Sequence, residues 1–470
     1  MENPKNLKTA DLLLKHGYIV TMDEKRHIFR DGAIAIKDGK ICAINTTGKI
    51  EEEFSSPEVM DLKNNLVHPG LVDAHQHITM LLARSWLPDY YSQNEIFEKF
   101  EKPLFQNKTV EVEFYGTILG CMEMVLNGTT TFGDTGGATD IDRIFEAIKT
   151  VGLKGRFGHG ISDIMEDPLD FINYSTRECL KKIEYQISRY PTLKDQPIGC
   201  WAGMRGMGTC SDKLIMEAKK LADSYGTMFV MHQSCFEYEV RETIKKLSGK
   251  KRPIEHLYDL GILGPETILV HMIYLSPEEI EIIAETGTGI VHCPGASTRN
   301  AMSSSIYGSF PEMIKENIPV ALGSDQGNSS DGLDIFRMAY LAAVIHKEAR
   351  RTMPAISVEA AMEMATINGA RVMGMEKDIG SLEAGKSADI VIHNLDHPGS
   401  HPPFDPLNNA ILSIQSKSVD TVLINGKTIV RHSKLTEIDT GEILKIVDKK
   451  ADELAKQMGY TVKRTWPVIV

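Results

Sequence analysis

The chain has 470 residues, of which 42% are hydrophobic and 25% are charged, an ordinary composition for a globular protein with a large core. Its formal net charge of −12 and its dispersed lysines and arginines argue against nucleic acid or a membrane surface as partner. The seven cysteines contain no CxxC pair, which indicates reduced thiols rather than a disulfide framework. Residues 1–20 lack the features of a signal peptide and no apolar run is long enough to span a bilayer, so we expect a cytoplasmic protein.

Both ends of the chain carry the pattern of short β-strands. In residues 9–62, apolar stretches alternate with turn residues, and Asp38-Gly39 is a strong signal for a two-residue hairpin. A second hairpin signal, Asn425-Gly426, lies among the strand candidates of residues 388–430. We therefore predict that the two ends pair in one small β domain and that the middle of the chain is inserted into it.

The middle of the chain alternates strand and helix patterns. Helical stretches end at Gly128 and Gly226, and another begins with Ser276 as N-cap and Pro277 at its first position. The eight strand candidates are 66–75, 129–135, 154–160, 197–204, 227–233, 267–272, 287–294 and 319–327. Eight such units predict an α/β fold with a parallel (β/α)8 TIM-type barrel. A doubly wound open sheet is the alternative, but no glycine-rich phosphate loop follows the first strand. The predicted domains are the N-terminal part of the small β domain at 1–65, the barrel at 66–378, the C-terminal part of the β domain at 379–430, and a helix and tail at 431–470.

Two histidines, His75 and His77, close the first strand of the predicted barrel. Residues two apart on a strand face the same side, so both imidazoles can reach one metal ion. By itself this short motif has an equally good alternative, which is two incidental histidines on a surface turn.

Polar side chains recur at the ends of the other strands. In a parallel barrel these ends meet at one mouth, where the active site lies. They carry His75 and His77, Asp134, His159, His232, His271, His292 and Asp325. A shared mouth lined by histidine and aspartate predicts a metal with acid–base partners.

These segments resemble the amidohydrolase superfamily, in particular the branch of triazine chlorohydrolases, S-adenosylhomocysteine deaminases and 8-oxoguanine deaminases. The resemblance rests on PGLVDAHQH at 69–77, on the surroundings of His271, His292 and Asp325, and on the stretch 364–392. It covers about residues 10–430 and implies a metal-dependent hydrolase with a barrel, a β-sandwich and a homodimeric or higher homo-oligomeric state.

Carried over to this chain, the resemblance makes His75, His77, His232 and Asp325 the ligands of one divalent ion. Zinc is the expected ion, with iron and manganese as alternatives, and the absence of a lysine from strand four favours a single metal. Asp325 would also accept a proton from the attacking water, and His271 would polarise the substrate or shuttle a proton.

Substrate binding is the predicted role of a further set, together with His271. Its members are His292, Cys235 and Asn328. For His159, His292 and Asp134 a packing role is as good an interpretation as a substrate contact.

One position departs from the family pattern. Cys235 stands where this branch has a glutamate, three residues after the strand-five histidine. A thiol is a poor substitute for a carboxyl group that shuttles protons, while Glu237 and Glu239 lie at a different spacing. Cys235 has an equally good interpretation as a packed core thiol.

We therefore predict a hydrolase that breaks a C–N or C–Cl bond of a small nitrogen heterocycle, an aminohydrolase or a chlorohydrolase, with a small molecule as its partner. The departure at Cys235 leaves two alternatives open. One is hydrolysis of a cyclic or linear amide or amidine, and the other is a metal-binding homologue with weak catalysis.

Overall fold

The structure is a computed structural model that describes residues 7–88, 90–164, 173–192, 196–327, 330, 332–462 and 466. Among these residues, no helix combines the length and apolar character that crossing a membrane requires.

The strands and helices alternate through the middle of the chain, and strands dominate both ends. The strands are β1 (Lys8–Thr9), β2 (Leu12–Val20), β3 (Ile28–Lys37), β4 (Lys40–Thr46), β5 (Phe54–Ser55), β6 (Glu58–Asp61), β7 (Leu66–Pro69), β8 (Leu71–Gln76), β9 (Thr129–Asp134), β10 (Lys154–Phe157), β11 (Ile198–Cys200), β12 (Ala202–Met204), β13 (Phe229–Gln233), β14 (Thr267–His271), β15 (Gly289–His292), β16 (Val320–Leu322), β17 (Ile390–His393), β18 (Val419–Ile424), β19 (Lys427–Arg431) and β20 (Lys434–Leu435). The α-helices are α1 (Thr47–Glu53), α2 (Gln93–Ile96), α3 (Lys102–Asn107), α4 (Val110–Leu126), α5 (Ile141–Val151), α6 (Thr176–Arg189), α7 (Asp212–Tyr225), α8 (Glu237–Lys246), α9 (Pro253–Asp259), α10 (Pro277–Thr286), α11 (Pro294–Arg299), α12 (Ser304–Tyr307), α13 (Phe310–Lys315), α14 (Ile335–Arg350), α15 (Val358–Ala365), α16 (Ile367–Val372), α17 (Pro406–Asn409) and α18 (Thr440–Met458). Short 3-10 helices span Ile78–Ala83, Pro398–Ser400 and Gln415–Ser418, and π-helical turns span Phe97–Glu101 and Ala410–Ile414.

The central strands are all parallel and form two sheets. One has the order β11-β10-β9-β8 and the other the order β12-β13-β14-β15-β16. The predicted alternation of strand and helix is confirmed, whereas the hydrogen-bonded ladder does not close into the predicted ring. Strand four is interrupted at Trp201, and the link from β8 to the segment after β16 is a single bridge between Gln76 and Asp325.

Strand four changes its pairing partner at Trp201, because β11 pairs with β10 and β12 pairs with β13. The backbone stays hydrogen-bonded there, since the Trp201 N–H donates to the backbone oxygen of Phe157 at 3.1 Å. The Trp201 side chain is buried, and its Nε1–H donates to the backbone oxygen of Asp134 at 2.9 Å. A Cβ atom added at Gly133 in β9, or at Gly158 after β10, would lie 2.4 Å from this ring, so the two glycines leave room for the indole.

The two faces of the parallel strands pack in different cores. Phe229, Met231 and Leu269 pack with the surrounding helices. Val230 and Val270, which alternate with them, belong to a second cluster on the opposite face. This period of two decides which strand residues face the site.

Both chain ends contribute to one nine-stranded sheet with the order β20-β19-β18-β17-β7-β2-β3-β4, in which β6 also pairs with β2. The β-sandwich expected from the sequence is thus hydrogen-bonded as one mixed sheet, beside a two-stranded sheet of β1 and β5. The expected boundary at residue 66 is displaced, because β7 pairs with β2 and β17 while β8, after Gly70, joins β9.

Two buried histidines lie where β7 and β17 pair. His68 Nδ1 is 2.7 Å from the backbone oxygen of Pro69, His68 Nε2 is 2.9 Å from His393 Nε2, and His393 Nδ1 is 2.7 Å from Ser418 Oγ. A carbonyl only accepts, so His68 Nδ1 carries a proton, His393 Nε2 donates and the Ser418 hydroxyl completes the chain. Phe336 of α14 meets both imidazoles edge-on. The hydrogen bonds therefore fit two neutral imidazoles between the terminal sheet and a helix of the central part.

The C-terminal helix α18 begins after the N-cap Asp439 and ends at Gly459, which adopts φ 61°. Its buried residues Val447 and Leu454 pack with Val112 of α4, so one face of the predicted C-terminal helix is covered.

Candidate metal centre

His75 and His77 face the centre of the molecule because the strand that carries them is irregular. Simple alternation from Ala74, which lies in the inner cluster, would turn Gln76 inward instead. The pairing of β8 with β9 shifts register between Asp73 and Gln76, and Gln76 contacts Met124 on α4. The shift therefore brings both histidines to the inner face.

His271 and Asp325 reach the same place through left-handed backbone conformations, with φ 77° and φ 63°. By alternation from Leu269, His271 would face the helices, so the turn at its own residue redirects the imidazole. The Asp325 N–H donates to the backbone oxygen of His75 at 2.9 Å, which ties the two strand ends together.

The side chains converge closely. The Nε2 atoms of His75 and His77 each lie 3.6 Å from Asp325 Oδ1. His232 Nε2 is 3.3 Å from His77 Nε2, and His271 Nε2 is 3.8 Å from Asp325 Oδ2. Candidate ligand atoms of His75, His77 and His232, and likewise those of His75, His271 and Asp325, lie within 4.8 Å of one another. The structure thus brings together all four predicted ligands and His271.

The electrostatics of this cluster favour neutral His77 and His232 beside an ionised Asp325. Burial and the neighbouring His75 lower the pKa of His77 to about 3, and burial with the adjacent imidazoles holds the pKa of His232 well below its ordinary value. Burial opposes ionisation of Asp325, but its interactions with His75 and the other imidazoles outweigh burial and lower its pKa. Neutral imidazole and carboxylate are the forms that bind a divalent cation.

An unsatisfied atom tests whether a cation fits here. His75 Nε2 is buried and has no hydrogen-bond partner among the described residues, although it faces the other ligand atoms. A buried polar atom without a partner is rare in proteins. Together with this atom, two further imidazole nitrogens and one carboxylate oxygen form the donor set of a catalytic zinc-type site.

The outer nitrogens of two histidines have their own partners. His232 Nδ1 is 3.0 Å from the backbone oxygen of Arg205, and His75 Nδ1 is 3.3 Å from Thr135 Oγ1. Such contacts fix the ring orientation and leave Nε2 as the free ligand atom.

Asp134 and Asp73 hold the surrounding loops rather than joining the cluster. Asp134 accepts the N–H of Ile78 and of Gly136, both at 2.6 Å. Burial raises the pKa of Asp134 to about 7 and that of Asp73 to about 6. The contacts of Asp134 therefore favour the packing role that the sequence analysis gave as an alternative to a substrate contact.

His271 is close to the carboxylate but differs from the other histidines. Burial lowers its pKa to about 4 against the opposing charge of Asp325, and its Nδ1 has no partner in the part of the chain that the structure describes. A neutral imidazole beside the carboxylate suits a group that hydrogen-bonds substrate.

Two of the other predicted site residues lie apart from this cluster. His292 follows Ile290 in alternation, faces the helices, stacks on Phe310 and contacts His346. His159 contacts Gln186 of α6 at 3.3 Å. A substrate contact by His292 therefore has no support from its position. Asn328 lies outside the described residues.

Cys235 is buried beside the cluster. Burial, together with Glu239 and Asp325, raises the pKa of its thiol well above the ordinary value. Neither nearby glutamate replaces the missing one, because Glu239 accepts the N–H of Cys235 at 2.9 Å and that of Phe236 at 3.4 Å, while Glu237 is exposed.

Two further residues border the cluster and were missed by the sequence analysis. Arg205 directly follows β12, so its place at a strand end was a usable signal. Glu101 ends a π-helical turn far along the loop after β8, and the charges of Arg205 and Asp325 influence the pKa of its carboxyl group. No spacing rule relates Glu101 to a strand end.

Known proteins match the chain over most of its length. The 5-methylthioadenosine/S-adenosylhomocysteine deaminase of Thermoanaerobacter pseudethanolicus is 30% identical over 95% of this chain and 100% of that protein. The 5'-deoxyadenosine deaminase of Methanosarcina mazei is 28% identical over 96% of this chain and 99% of that protein.

Solved structures agree with this likeness. A zinc-bound adenosine deaminase from Xanthomonas campestris has a TM-score of 0.88 and 25% identity, covering 96% of this chain and 100% of that one. The zinc complex of atrazine chlorohydrolase from Arthrobacter aurescens has a TM-score of 0.85 at 21% identity, covering 94% and 100% of the two chains, and shares the fold. The amidohydrolase family model matches residues 66–429. The chain belongs to the amidohydrolase family.

Proposed function

We propose that this protein is a metal-dependent aminohydrolase that removes an exocyclic amino group from a small nitrogen heterocycle. The observation that carries the proposal is the convergence of His75, His77 and His232 with Asp325 around the unsatisfied His75 Nε2. In the proposed site these four residues hold one divalent ion, zinc in the first place and iron or manganese otherwise. Such an ion, when bound, lowers the pKa of water and makes a nucleophile available at neutral pH.

The chain's own residues then divide the remaining work. Asp325, whose pKa is held low, accepts the proton that the attacking water loses. His271, neutral beside that carboxylate, donates a hydrogen bond to the substrate atom that gains negative charge.

The proposed substrate class is taken from the names of the relatives. The deaminases that this chain resembles act, by their names, on adenosine derivatives, so an aminated purine or purine nucleoside is the first candidate. A chlorinated heterocycle is the second, because chloride leaves without the proton that Cys235 is poorly suited to give.

The test begins with the metal. Protein expressed with zinc should contain one ion per chain by elemental analysis, and two ions per chain would contradict the single site. The zinc protein is then incubated with aminated purines, purine nucleosides, pteridines and triazines, with chlorotriazines, and with amides and amidines. We expect ammonia release from aminated rings. Chloride release alone would favour the second candidate, and hydrolysis of amides alone would move the protein to another reaction class.

The finer architecture is part of the same proposal. We infer that the two parallel sheets act as one barrel, as predicted for residues 66–378, and that the predicted sandwich parts at 1–65 and 379–430, extended by β7 and β20, form one β-sandwich unit. We further infer a cytoplasmic homodimer or higher homo-oligomer with no nucleic-acid or membrane partner. Light scattering of the purified protein tests the oligomeric state, and a monomer would contradict it.

A further inference from the structure

A short 3-10 helix connects the metal centre to the outer helices of the molecule. It runs from Ile78 to Ala83, directly after the proposed ligand His77, whose backbone oxygen accepts the Met80 N–H at 3.3 Å. The Ile78 N–H donates to Asp134 Oδ2 at 2.6 Å, which fixes the beginning of this helix beside the end of β9. All six residues of the helix are buried. A shift of this helix would therefore move the backbone of His77.

Some side chains of the 3-10 helix pack against the loop that carries Asp325. A Cβ atom added at Gly327, two residues after Asp325, would collide with the Leu81 side chain. The helix α4 approaches equally closely at Gly120, where an added Cβ atom would lie 2.8 Å from Ile78 Cγ1 and 3.0 Å from Leu81 Cδ2. The 3-10 helix therefore contacts the segments that carry two of the proposed ligands, since it begins at one and packs beside the other.

The remaining side chains of the 3-10 helix are covered by the C-terminal helix α18. Met80, Leu82 and Ala83 belong to one buried cluster with Val447 and Leu454 of α18. The cluster is distinct from the core that contains Leu81. The 3-10 helix is thus held between α18 and the loop of Asp325.

The residue that follows the cap of α18 adds a specific contact. The Tyr460 ring stacks on the Trp86 indole, with ring centroids 4.6 Å apart and planes inclined by 8°. The Tyr460 hydroxyl donates to the backbone oxygen of Trp86 at 2.8 Å. Tyr460 is itself fixed to α18, because its N–H donates to the backbone oxygen of Ala455 at 2.8 Å. Trp86 lies three residues after the 3-10 helix, so the stack ties the end of α18 to the far end of the helix that begins after His77.

His77 depends on this support more than the other histidine ligands do. His75 lies within β8 and His232 within β13, where pairing with neighbouring strands holds the backbone. His77 follows the end of β8 and is the N-cap residue of the 3-10 helix. The position of its imidazole is therefore set by that helix and by whatever holds the helix in place.

We propose that Tyr460 is a positioning residue of the metal centre. Through its stack on Trp86 it holds the 3-10 helix Ile78–Ala83, and with it His77, in the geometry that binds the ion. This inference rests on the metal centre of the proposed function and adds that the centre depends on the C-terminal segment.

The first experiment compares Tyr460→Ala with Tyr225→Ala in protein loaded with cobalt(II) or with zinc. Tyr225 is 40% exposed and is the last residue of α7 before the left-handed Gly226, so it is a matched tyrosine at another helix end. The visible absorption of bound cobalt(II) reports the geometry of its ligands. We expect Tyr460→Ala to shift the cobalt bands and to raise the Kd for zinc, measured by competition with a chromogenic chelator, by about 10-fold. Tyr225→Ala should keep the wild-type spectrum and Kd.

The variant Tyr460→Phe separates the stack from the hydrogen bond. It keeps the ring on Trp86 and removes the hydroxyl donor, so we expect it to retain most of the wild-type zinc affinity and cobalt spectrum. Impairment of Tyr460→Phe to the level of Tyr460→Ala would contradict the stack as the positioning contact.

Stability is measured separately from metal geometry. A purely structural role of Tyr460 would lower the free energy of unfolding in a denaturant titration but leave the cobalt spectrum of the folded protein unchanged, and that result would overturn the inference. If Tyr460→Ala does not fold, Tyr460→Leu, which keeps apolar bulk without the aromatic face, is compared with Tyr225→Leu by the same criteria.

The outcomes separate the two proposals, because cobalt spectra and zinc affinity need no substrate. An unchanged spectrum and Kd in folded Tyr460→Ala would overturn the positioning role even when the wild-type protein releases ammonia. Failure of the wild-type zinc protein to release ammonia from any aminated ring would overturn the aminohydrolase function alone, provided that the cobalt bands shift in Tyr460→Ala. Failure of the wild-type protein to bind either ion would overturn both.

Discussion

Asp325 meets two demands with one side chain. Its carboxylate faces the Nε2 atoms of His75 and His77, each 3.6 Å from Oδ1, and its N–H holds the end of β8. The same carboxylate accepts the Gln326 N–H at 2.7 Å, which orients it. Charge, orientation and proton acceptance are therefore combined in a single residue of the proposed site.

The variant Asp325→Asn tests whether the site needs the negative charge of this side chain or only its shape. The amide keeps the size of the side chain but removes the anionic ligand and the proton acceptor, so we expect turnover to fall by at least about 10²-fold, with less bound zinc. Turnover, elemental analysis and circular dichroism measure the three properties. Asp396→Asn, at an exposed carboxylate, should change none of them. Normal turnover in Asp325→Asn would assign Asp325 a structural role.

At this scale the sequence predicts the cluster but not its full membership. Strand-end reasoning places all of these side chains at one mouth, and the family resemblance selects the four ligands among them. Of these, His232 faces inward by the plain alternation of its strand. Alternation does not predict the register shift that turns His75 inward or the positive φ at His271 and Asp325. His292 lies at a strand end but outside the cluster, because alternation turns its side chain toward Phe310.

At the scale of elements, the central strands are arranged around one indole. Strand four changes its pairing partner at Trp201, while Gly133 in β9 and Gly158 after β10 lie where a side chain would collide with its ring. The strand candidates of the sequence include all three residues, yet nothing local shows that they meet. The packing of the indole against these glycines is therefore a tertiary effect that strand patterns do not predict.

Gly133→Ala tests this arrangement. The new Cβ would lie 2.4 Å from the Trp201 ring and 2.9 Å from the backbone oxygen of Ala74, so we expect a loss of about 1–3 kcal/mol in the free energy of unfolding. Denaturant titration measures it. Gly208→Ala is the control, since nothing lies within 4 Å of its added Cβ. Equal stability of the two variants would show that the strands yield to the methyl group.

The paired strands β7 and β17 carry a second testable element, the buried pair His68 and His393. Burial lowers the pKa of His68 to about 4 and holds that of His393 well below the ordinary value. In the unfolded chain these histidines bind protons near pH 6.5, whereas in the folded chain they stay neutral until the pH is much lower. The free energy of unfolding should therefore fall as the pH drops from about 6.5 towards about 4. For His68 alone the loss is about 3 kcal/mol.

The double variant His68→Asn with His393→Gln places an amide near His68 Nδ1 and another near His393 Nε2, and neither amide titrates. Its free energy of unfolding should depend less on pH between about 6.5 and about 4 than that of wild type. His432→Asn, at an exposed histidine, should keep the wild-type dependence. An unchanged slope in the double variant would show that this pair does not carry the effect.

On the scale of the whole molecule, the first and last parts of the chain share one sheet. β7 pairs with both β2 and β17, so neither end completes its ladder alone. Two hairpin signals in the sequence were enough to predict that the ends meet. The fold class followed from the alternation of eight strands and helices, but the count could not show where the ladder opens.

A cut after Gly385 tests the shared sheet. Gly385 lies in a turn with φ 90° and open space around it, so the break should not disturb packing. We expect fragments 1–385 and 386–470 to purify together when co-expressed, and fragment 1–385 alone to aggregate through its uncovered β7 edge. Val391→Asp in the smaller fragment should prevent assembly, because Val391 is buried opposite His68. A soluble, folded fragment 1–385 would contradict this interdependence.

The left-handed backbone at His271 and Asp325 has an evolutionary consequence. Side chains in this conformation cost about 1–2 kcal/mol relative to glycine, although histidine and aspartate tolerate it better than most residues. The proposed chemistry therefore uses two side chains in a conformation that costs stability. In homologues that have lost catalysis, we expect glycine or asparagine at both positions. This substitution pattern would distinguish an inactive homologue from an active hydrolase.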